Sequence, residues 1–143
     1  HGRDRDERVG EVLATFPELE AHLARPARTL SGGQQQMLSL GQALACRPRF
    51  LVIDEMSHGL APAIVARLLD VLRDVAGTGV GILLVEQFAN VALRLADRAV
   101  VMSRGRVVHG AASSVYLDDP DLLHRLYLGG DLGDDAGDGG GNG

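Results

Sequence analysis

Between Asp6 and Phe16 the apolar positions Val9, Val12, Leu13 and Phe16 recur at intervals of three and four, the spacing of one helical face. Pro17 stops that helix, and Glu18–Ala24 reads as a further short helical piece before Pro26 breaks the pattern. A turn over Thr29–Gly33 leads into a helix over Gln34–Cys46, with Met37, Leu38, Leu40, Gly41 and Leu44 along one side. Arg47-Pro48 ends it, because the residue before a proline avoids the helical region.

The pattern then changes. Phe50–Ile53 and Gly81–Val85 are short, continuous apolar runs, as expected for strands buried on both faces of a parallel sheet. Between them a helix runs from Pro62, favoured in a first turn, to about Val75, with Gly77 and Gly79 closing it. Ala89–Ala96 reads as another helix. Arg98–Ser103 and Arg106–Gly110 read as two strands joined by a turn at Arg104-Gly105, followed by helices over Ala112–Leu117 and Pro120–Tyr127. Alternating strands and helices predict an α/β fold with a mostly parallel sheet. Residues 129–143 are nearly all Gly and Asp; such a segment buries too little surface to offset its ordering entropy and is expected to be disordered.

Composition adds bounds. At 143 residues the chain is sized for one domain, and with 3% aromatics its core must be aliphatic. The net charge of −5 belongs mainly to Asp131, Asp134, Asp135 and Asp138 in the tail, so no basic footprint points to nucleic acid. Apolar stretches such as Ile82–Val85 and Ala99–Met102 are far too short to cross a bilayer. The lone Cys46 excludes an internal disulfide, fits a reducing compartment, and is expected as a small apolar side chain on a helix. His1, His22, His58, His109 and His124 show no metal-ligand spacing.

Chemistry is concentrated in two places. Leu30-Ser31-Gly32-Gly33-Gln34-Gln35-Gln36 is a Ser-Gly-Gly turn opening a helix, whose unpaired amides and positive dipole end suit a phosphate. The simpler alternative is an N-cap that merely starts the helix, and both can hold at once. The run Phe50-Leu51-Val52-Ile53 ends in Asp54-Glu55, two carboxylates suited to a magnesium ion and a water awaiting activation; the plainer alternative is two solvated acids after a core strand. The lysine-bearing phosphate loop G-x-x-x-x-G-K-S/T does not occur, and all fourteen basic residues are arginine. The chain also begins at His1 inside a helical passage. It is therefore expected to be the C-terminal portion of a longer protein, the alternative being a small complete protein with an unusual ATP site.

These motifs, in this order, resemble ABC-transporter ATP-binding subunits. Leu30–Gln36 resembles their signature, Phe50–Glu55 their Walker B strand, and Ser57-His58-Gly59-Leu60-Ala61-Pro62 stands in place of the D-loop. The fuller pattern, Leu30 to Leu38, Gly59-Leu60-Ala61-Pro62, Leu83-Leu84-Val85-Glu86-Gln87, Leu95-Ala96-Asp97-Arg98 and Leu126-Tyr127-Leu128-Gly129, resembles the branched-chain amino acid importer type. The expected organisation is a partial cassette domain over residues 1–129, including part of the helical signature subdomain, and a tail over 130–143.

The resemblance implies roles. Asp54 holds magnesium, directly or through water, and Glu55 orients the attacking water. Ser31, Gly32, Gly33 and Gln34 contact the γ-phosphate of ATP bound to a second, head-to-tail ATPase subunit. Ser57, His58, Gly59 and Leu60 form the D-loop. Gln87 stands where the wider superfamily carries a switch histidine, and its carboxamide can donate to a phosphate oxygen without titrating near neutrality. Met56 replaces a usual proline, which loosens that turn and bears on the D-loop geometry; His58 reads as a solvated loop residue. Implied partners are transmembrane permease subunits and, indirectly, a periplasmic or extracellular solute-binding protein, at the cytoplasmic face of the membrane. The readings beside it are a non-catalytic orphan fragment, a urea or amide importer ATPase, and an ABC protein outside transport. A chain lacking its other half is also expected to leave strand edges exposed and to be marginally stable.

Overall fold

The computed structural model describes residues 2–127, so the expected disorder of the Gly- and Asp-rich tail and the closing Leu128-Gly129 lie outside the described residues. The chain divides into two compact units between Leu95 and Ala96.

The first unit opens with helix α1 (Gly2–Thr15), one turn longer at its start than the apolar spacing predicts. Phe16 caps its apolar stripe and is fully buried, with Val12 and Leu13 partly buried behind it. Two 3-10 turns, Pro17–His22 and Ala27–Thr29, carry the chain to helix α2 (Gly32–Ala45). That helix starts two residues earlier than the sequence suggests, because Ser31 rather than Gly33 is its cap. Met37, Leu40 and Gly41 face inward, and a Cβ on Gly41 would stand 2.6 Å from Val12 Cγ1, so glycine sets how closely α1 and α2 approach. Cys46 is the C-cap of α2 and is exposed, not packed on the helix as expected. Arg47, with φ +50°, turns the chain ahead of Pro48 while its guanidinium bonds Glu11 at 2.7 Å and Glu7 at 3.3 Å. Those carboxylates hold the Arg47 guanidinium above its ordinary pKa, Glu11 contributing most.

Strand β1 (Phe50–Asp54) pairs in parallel with β2 (Gly81–Val85), Phe50 opposite Gly81 and Asp54 opposite Val85. Helix α3 (Pro62–Gly77) makes the crossover, with Pro62 in its first turn and Leu68, Leu69, Val71 and Leu72 buried. Leu51, Ile53, Ile82 and Leu84 join this core. The opposite face differs from expectation: Phe50 (70%), Val52 (71%), Leu83 (53%) and Val85 (49%) are exposed. Continuous apolar runs predict burial on both faces, yet within the first unit only one face of the pair meets helices. The apolar pattern thus asks for a cover that the first unit does not itself provide. Helix α4 (Ala89–Leu95) completes the unit.

In the second unit β3 (Arg98–Ser103) and β4 (Arg106–Ala112) form the expected antiparallel hairpin. Arg104 and Gly105 both take positive φ, +49° and +75°, as a two-residue hairpin turn with matching twist requires. Helices α5 (Ser113–Asp118) and α6 (Pro120–Tyr127) follow. Tyr116 is buried, with its hydroxyl 2.8 Å from His109 Nδ1, and burial pushes its phenol above the ordinary range. The α/β class with a parallel strand pair is as read from the sequence.

Candidate functional site

The signature turn is built by reciprocal side-chain bonds. Gln34 N–H donates to Ser31 Oγ at 3.3 Å, and Ser31 N–H donates to Gln34 Oε1 at 3.0 Å, a full capping box. The Gln34 amide nitrogen lies 2.8 Å from His22 Nε2, and Gln35 Nε2 donates to Leu30 O at 3.1 Å. These bonds fix the turn while leaving the Gly32 and Gly33 amides without an acceptor among the described residues. Two free N–H groups at the positive end of a 14-residue helix are what an anion needs. Gln34, expected to reach phosphate, has its carboxamide engaged by Ser31 and His22, so its backbone position matters more than its side chain.

The two glycines differ in what they serve. A Cβ on Gly33 would lie 3.0 Å from Ile64 Cγ2, so that residue lets the turn seat on α3. A Cβ on Gly32 would be 3.8 Å from Leu60, an ordinary contact, and Gly32 is exposed. Nothing among the described residues requires glycine at 32.

The acidic pair stands where β1 leaves the sheet. Asp54 is the last strand residue and Glu55 follows it, both exposed. Glu55 takes φ +47°, an uncommon left-handed conformation for a non-glycine residue, and its N–H donates to Val85 O at 2.9 Å. Strain of this kind persists only where surrounding structure fixes it, and it concentrates at functional sites. Met56 buries its side chain at 2% exposure, anchoring the turn that loss of proline would be expected to loosen. Ser57 is buried, His58 and Gly59 are exposed, and Leu60 is half-buried; Gly59 uses φ +70°. His58 is therefore the solvated loop residue expected.

Magnesium chemistry fits one exposed strand-end carboxylate better than a protein cage. Among the described residues no three His, Cys, Asp or Glu side chains cluster as ligands. Magnesium commonly takes one or two carboxylates, with phosphate oxygens and waters as its other ligands, and Asp54 offers one such carboxylate. Asp54 also lines a cavity of about 170 Å³ with Gln36, Ser39 and Met56. A larger cavity of about 590 Å³ lies among α1, the first 3-10 turn and α2, and neither Asp54 nor Glu55 lines it.

Parallel pairing brings the end of β2 beside the acidic pair. Gln87, exposed just past β2, sits one residue beyond Glu86. Sequence reasoning passed over Glu86. Its carboxylate accepts Ser57 N–H at 2.9 Å on Oε1 and Ser57 Oγ–H at 2.7 Å on Oε2. The available signal was positional: in a parallel pair, the residue after one strand faces the loop after the other. Asp54, Glu55, Ser57, Glu86 and Gln87 thus share one edge, and Gly32 and Gly33 meet the same connection at Leu60 and Ile64.

Comparison with known proteins gives relatives in sequence and in fold. The family model described as ABC transporter matches residues 3–58. The chain is 42% identical over 130 residues to BraG, a high-affinity branched-chain amino acid transport ATP-binding protein of Pseudomonas aeruginosa, covering 89% of this chain and 55% of BraG. It superimposes on MJ1267, an ATP-binding cassette of an ABC transporter, with a TM-score of 0.72 at 25% identity, covering 84% of this chain and 49% of that one. The cassette MJ0796, a dimer in a post-hydrolysis state bound to ADP and Pi, gives 0.68 at 28% identity, covering 79% and 49%. The chain spans about half the length of the curated relatives it matches. No helix among the described residues is long and apolar enough to cross a membrane. Over the matched half, the chain is similar in sequence and fold to ABC-transporter ATP-binding proteins, branched-chain amino acid members among them.

Proposed function

We propose that this chain supplies the signature helix, acidic pair and switch region of an ATPase driving import of branched-chain or related hydrophobic amino acids. The observation carrying this reading is the parallel pairing of β1 and β2, which sets Asp54, Glu55 and Gln87 at one edge. Similarity to BraG supports the solute class.

ATP is the substrate. Glu55 orients a water for in-line attack on the γ-phosphate and takes its proton as the new phosphorus–oxygen bond forms and the bond to the β–γ bridging oxygen breaks, releasing ADP and inorganic phosphate. Gln87 donates a carboxamide hydrogen bond to a γ-phosphate oxygen. Asp54 would hold Mg2+, which would supply neutralisation of the triphosphate's negative charge. Ser31 and the amides of Gly32 and Gly33, with Gln34 setting the turn, close on the terminal phosphate of ATP seated on a second ATPase subunit in a head-to-tail dimer. Ser57, His58, Gly59 and Leu60 form the D-loop beside that closure. The phosphate loop comes from polypeptide outside these 143 residues, and the chain alone is expected to show no ATP turnover. The assembly sits peripherally at the cytoplasmic membrane face, moving permease subunits that receive solute from a binding protein.

The test is ATP hydrolysis by the assembled ATPase that contains this chain. Glu55→Gln should lower turnover by about 10²- to 10⁴-fold while nucleotide stays bound. Turnover unchanged by that substitution contradicts the reading.

A further inference from the structure

Glu86 belongs to none of the phosphate-facing groups, yet it makes a two-oxygen contact in the most constrained part of the site. Its carboxylate receives the backbone N–H and the hydroxyl of one residue, Ser57, at 2.9 and 2.7 Å. The shorter bond lies in the range of charge-assisted hydrogen bonds, and gripping two donors on one residue fixes direction as well as distance. None of the ion pairs among the described residues includes Glu86, so no cation accounts for its orientation.

The placement of this grip matters more than its strength. Glu55 N–H is tied to Val85 O at 2.9 Å, and two residues later Ser57 is tied to Glu86. The left-handed Glu55 is thus fastened to β2 on one side directly and on the other through Glu86. Between the ties, Met56 is packed into the core. A backbone conformation that is costly alone needs such over-determination. The residue completing it is covalently next to Gln87.

We propose that Glu86 is a positioning residue: by clamping Ser57 it makes the loop after Glu55 and the strand end carrying Gln87 one rigid edge, holding the water-orienting carboxylate in register with the phosphate-contacting carboxamide. This rests on the ATPase reading above. Glu86 touches neither nucleotide nor water; it acts through Glu55 and Gln87. Because a misplacement of about 1 Å costs on the order of a hundredfold in rate, releasing the clamp should appear in kcat and not in nucleotide affinity.

The experiment uses the assembled ATPase containing this chain. Glu86→Ala should lower kcat between about tenfold and a hundredfold with KM for ATP nearly unchanged. Glu86→Gln, which keeps an oxygen for the Ser57 amide and can still bond the hydroxyl, should restore most of the rate. Adding Ser57→Ala to Glu86→Ala should cost little more, since Glu86→Ala already removes both bonds of the clamp. Amide exchange at Ser57 should accelerate in Glu86→Ala while α2 and α3 keep their protection, a readout independent of turnover. If Glu86→Ala fails to fold, Ser57→Ala, which keeps the backbone bond and loses the hydroxyl bond, decides: a partly reduced kcat at unchanged KM with faster exchange of the Ser57 amide supports the clamp, and wild-type kcat with wild-type exchange overturns it. Wild-type kcat in a folded Glu86→Ala variant, alongside inactive Glu55→Gln, overturns the positioning role alone. Undiminished activity in Glu55→Gln overturns instead the water-orienting role given to Glu55 in the proposed function.

Discussion

Replacing Glu55 tests whether its left-handed backbone is real strain held at the site. Glu55 adopts φ +47°, its side chain is exposed, and its backbone N–H bonds Val85 O. Glu55→Ala and Glu55→Gly both remove the carboxylate and both keep that amide bond. They differ in the cost of the left-handed region, about 1–2 kcal/mol for a residue with a Cβ. Glycine avoids it but loses about 0.5–1 kcal/mol more chain entropy than alanine on folding. The remainder favours Glu55→Gly over Glu55→Ala by about 0.5–1 kcal/mol, a Tm difference of roughly 2–4 °C for a chain of this size. Urea unfolding at constant pH, followed by circular dichroism, reads this difference directly if both variants share one slope. The expected order is Gly above Ala, with neither variant supporting hydrolysis in the assembled ATPase. Alanine equal to or more stable than glycine would refute the strain argument, and with it the idea that the turn stores conformational energy beside the chemistry.

Three further outcomes follow from contacts away from that turn. Gly41→Ala should destabilise by about 1–3 kcal/mol through overpacking on Val12, exceeding the gain of about 1 kcal/mol from helix propensity; Val12→Ala in the same chain should recover part of the loss in thermal unfolding. Val52→Thr with Leu83→Thr should reduce self-association in light scattering with little change in Tm, because both side chains lie on the exposed face of the β1–β2 pair; unchanged association would show that this face is not the sticky one. Glu18 has a lowered pKa, through its own backbone amide first and Arg67 as well, against opposing desolvation. A folded pKa below the unfolded one means its stabilisation is present above the ordinary carboxylate range and lost as pH falls through the folded value, so Glu18→Gln should flatten the acid limb of stability against pH.

Much of this architecture is legible in the sequence because local rules and tertiary demands agree. Pro62, the Arg104-Gly105 turn and the alternation of apolar runs with helical stripes place α3, the hairpin and the parallel pair within a residue or two. Legibility fails where a residue serves a neighbour distant in sequence. Continuous apolar character in Phe50–Ile53 states that both faces want cover but not whether the chain supplies it, and here Phe50 and Val52 remain exposed. Glu86 reads as an ordinary polar residue after a strand until parallel pairing sets it against Ser57. Met56 reads as the loss of a rigid proline, yet burial replaces the lost backbone restraint. The capping box at Ser31 and Gln34 follows from local spacing, whereas the demand for glycine at 33 comes from Ile64, thirty-one positions along the chain.

The central claim is that the signature turn of one copy completes the site holding the acidic pair of another, and mixing two inactive variants tests it directly. Ser31→Arg blocks the signature and Glu55→Gln blocks the water. Each should be inactive as a uniform assembly. In a head-to-tail pair carrying one of each, one site receives both defects and the other receives neither. Random pairing of equal amounts should therefore restore about a quarter of wild-type phosphate release if the sites act independently. If Ser31 served the site of its own copy, every site in the mixture would carry a defect, and no activity would return.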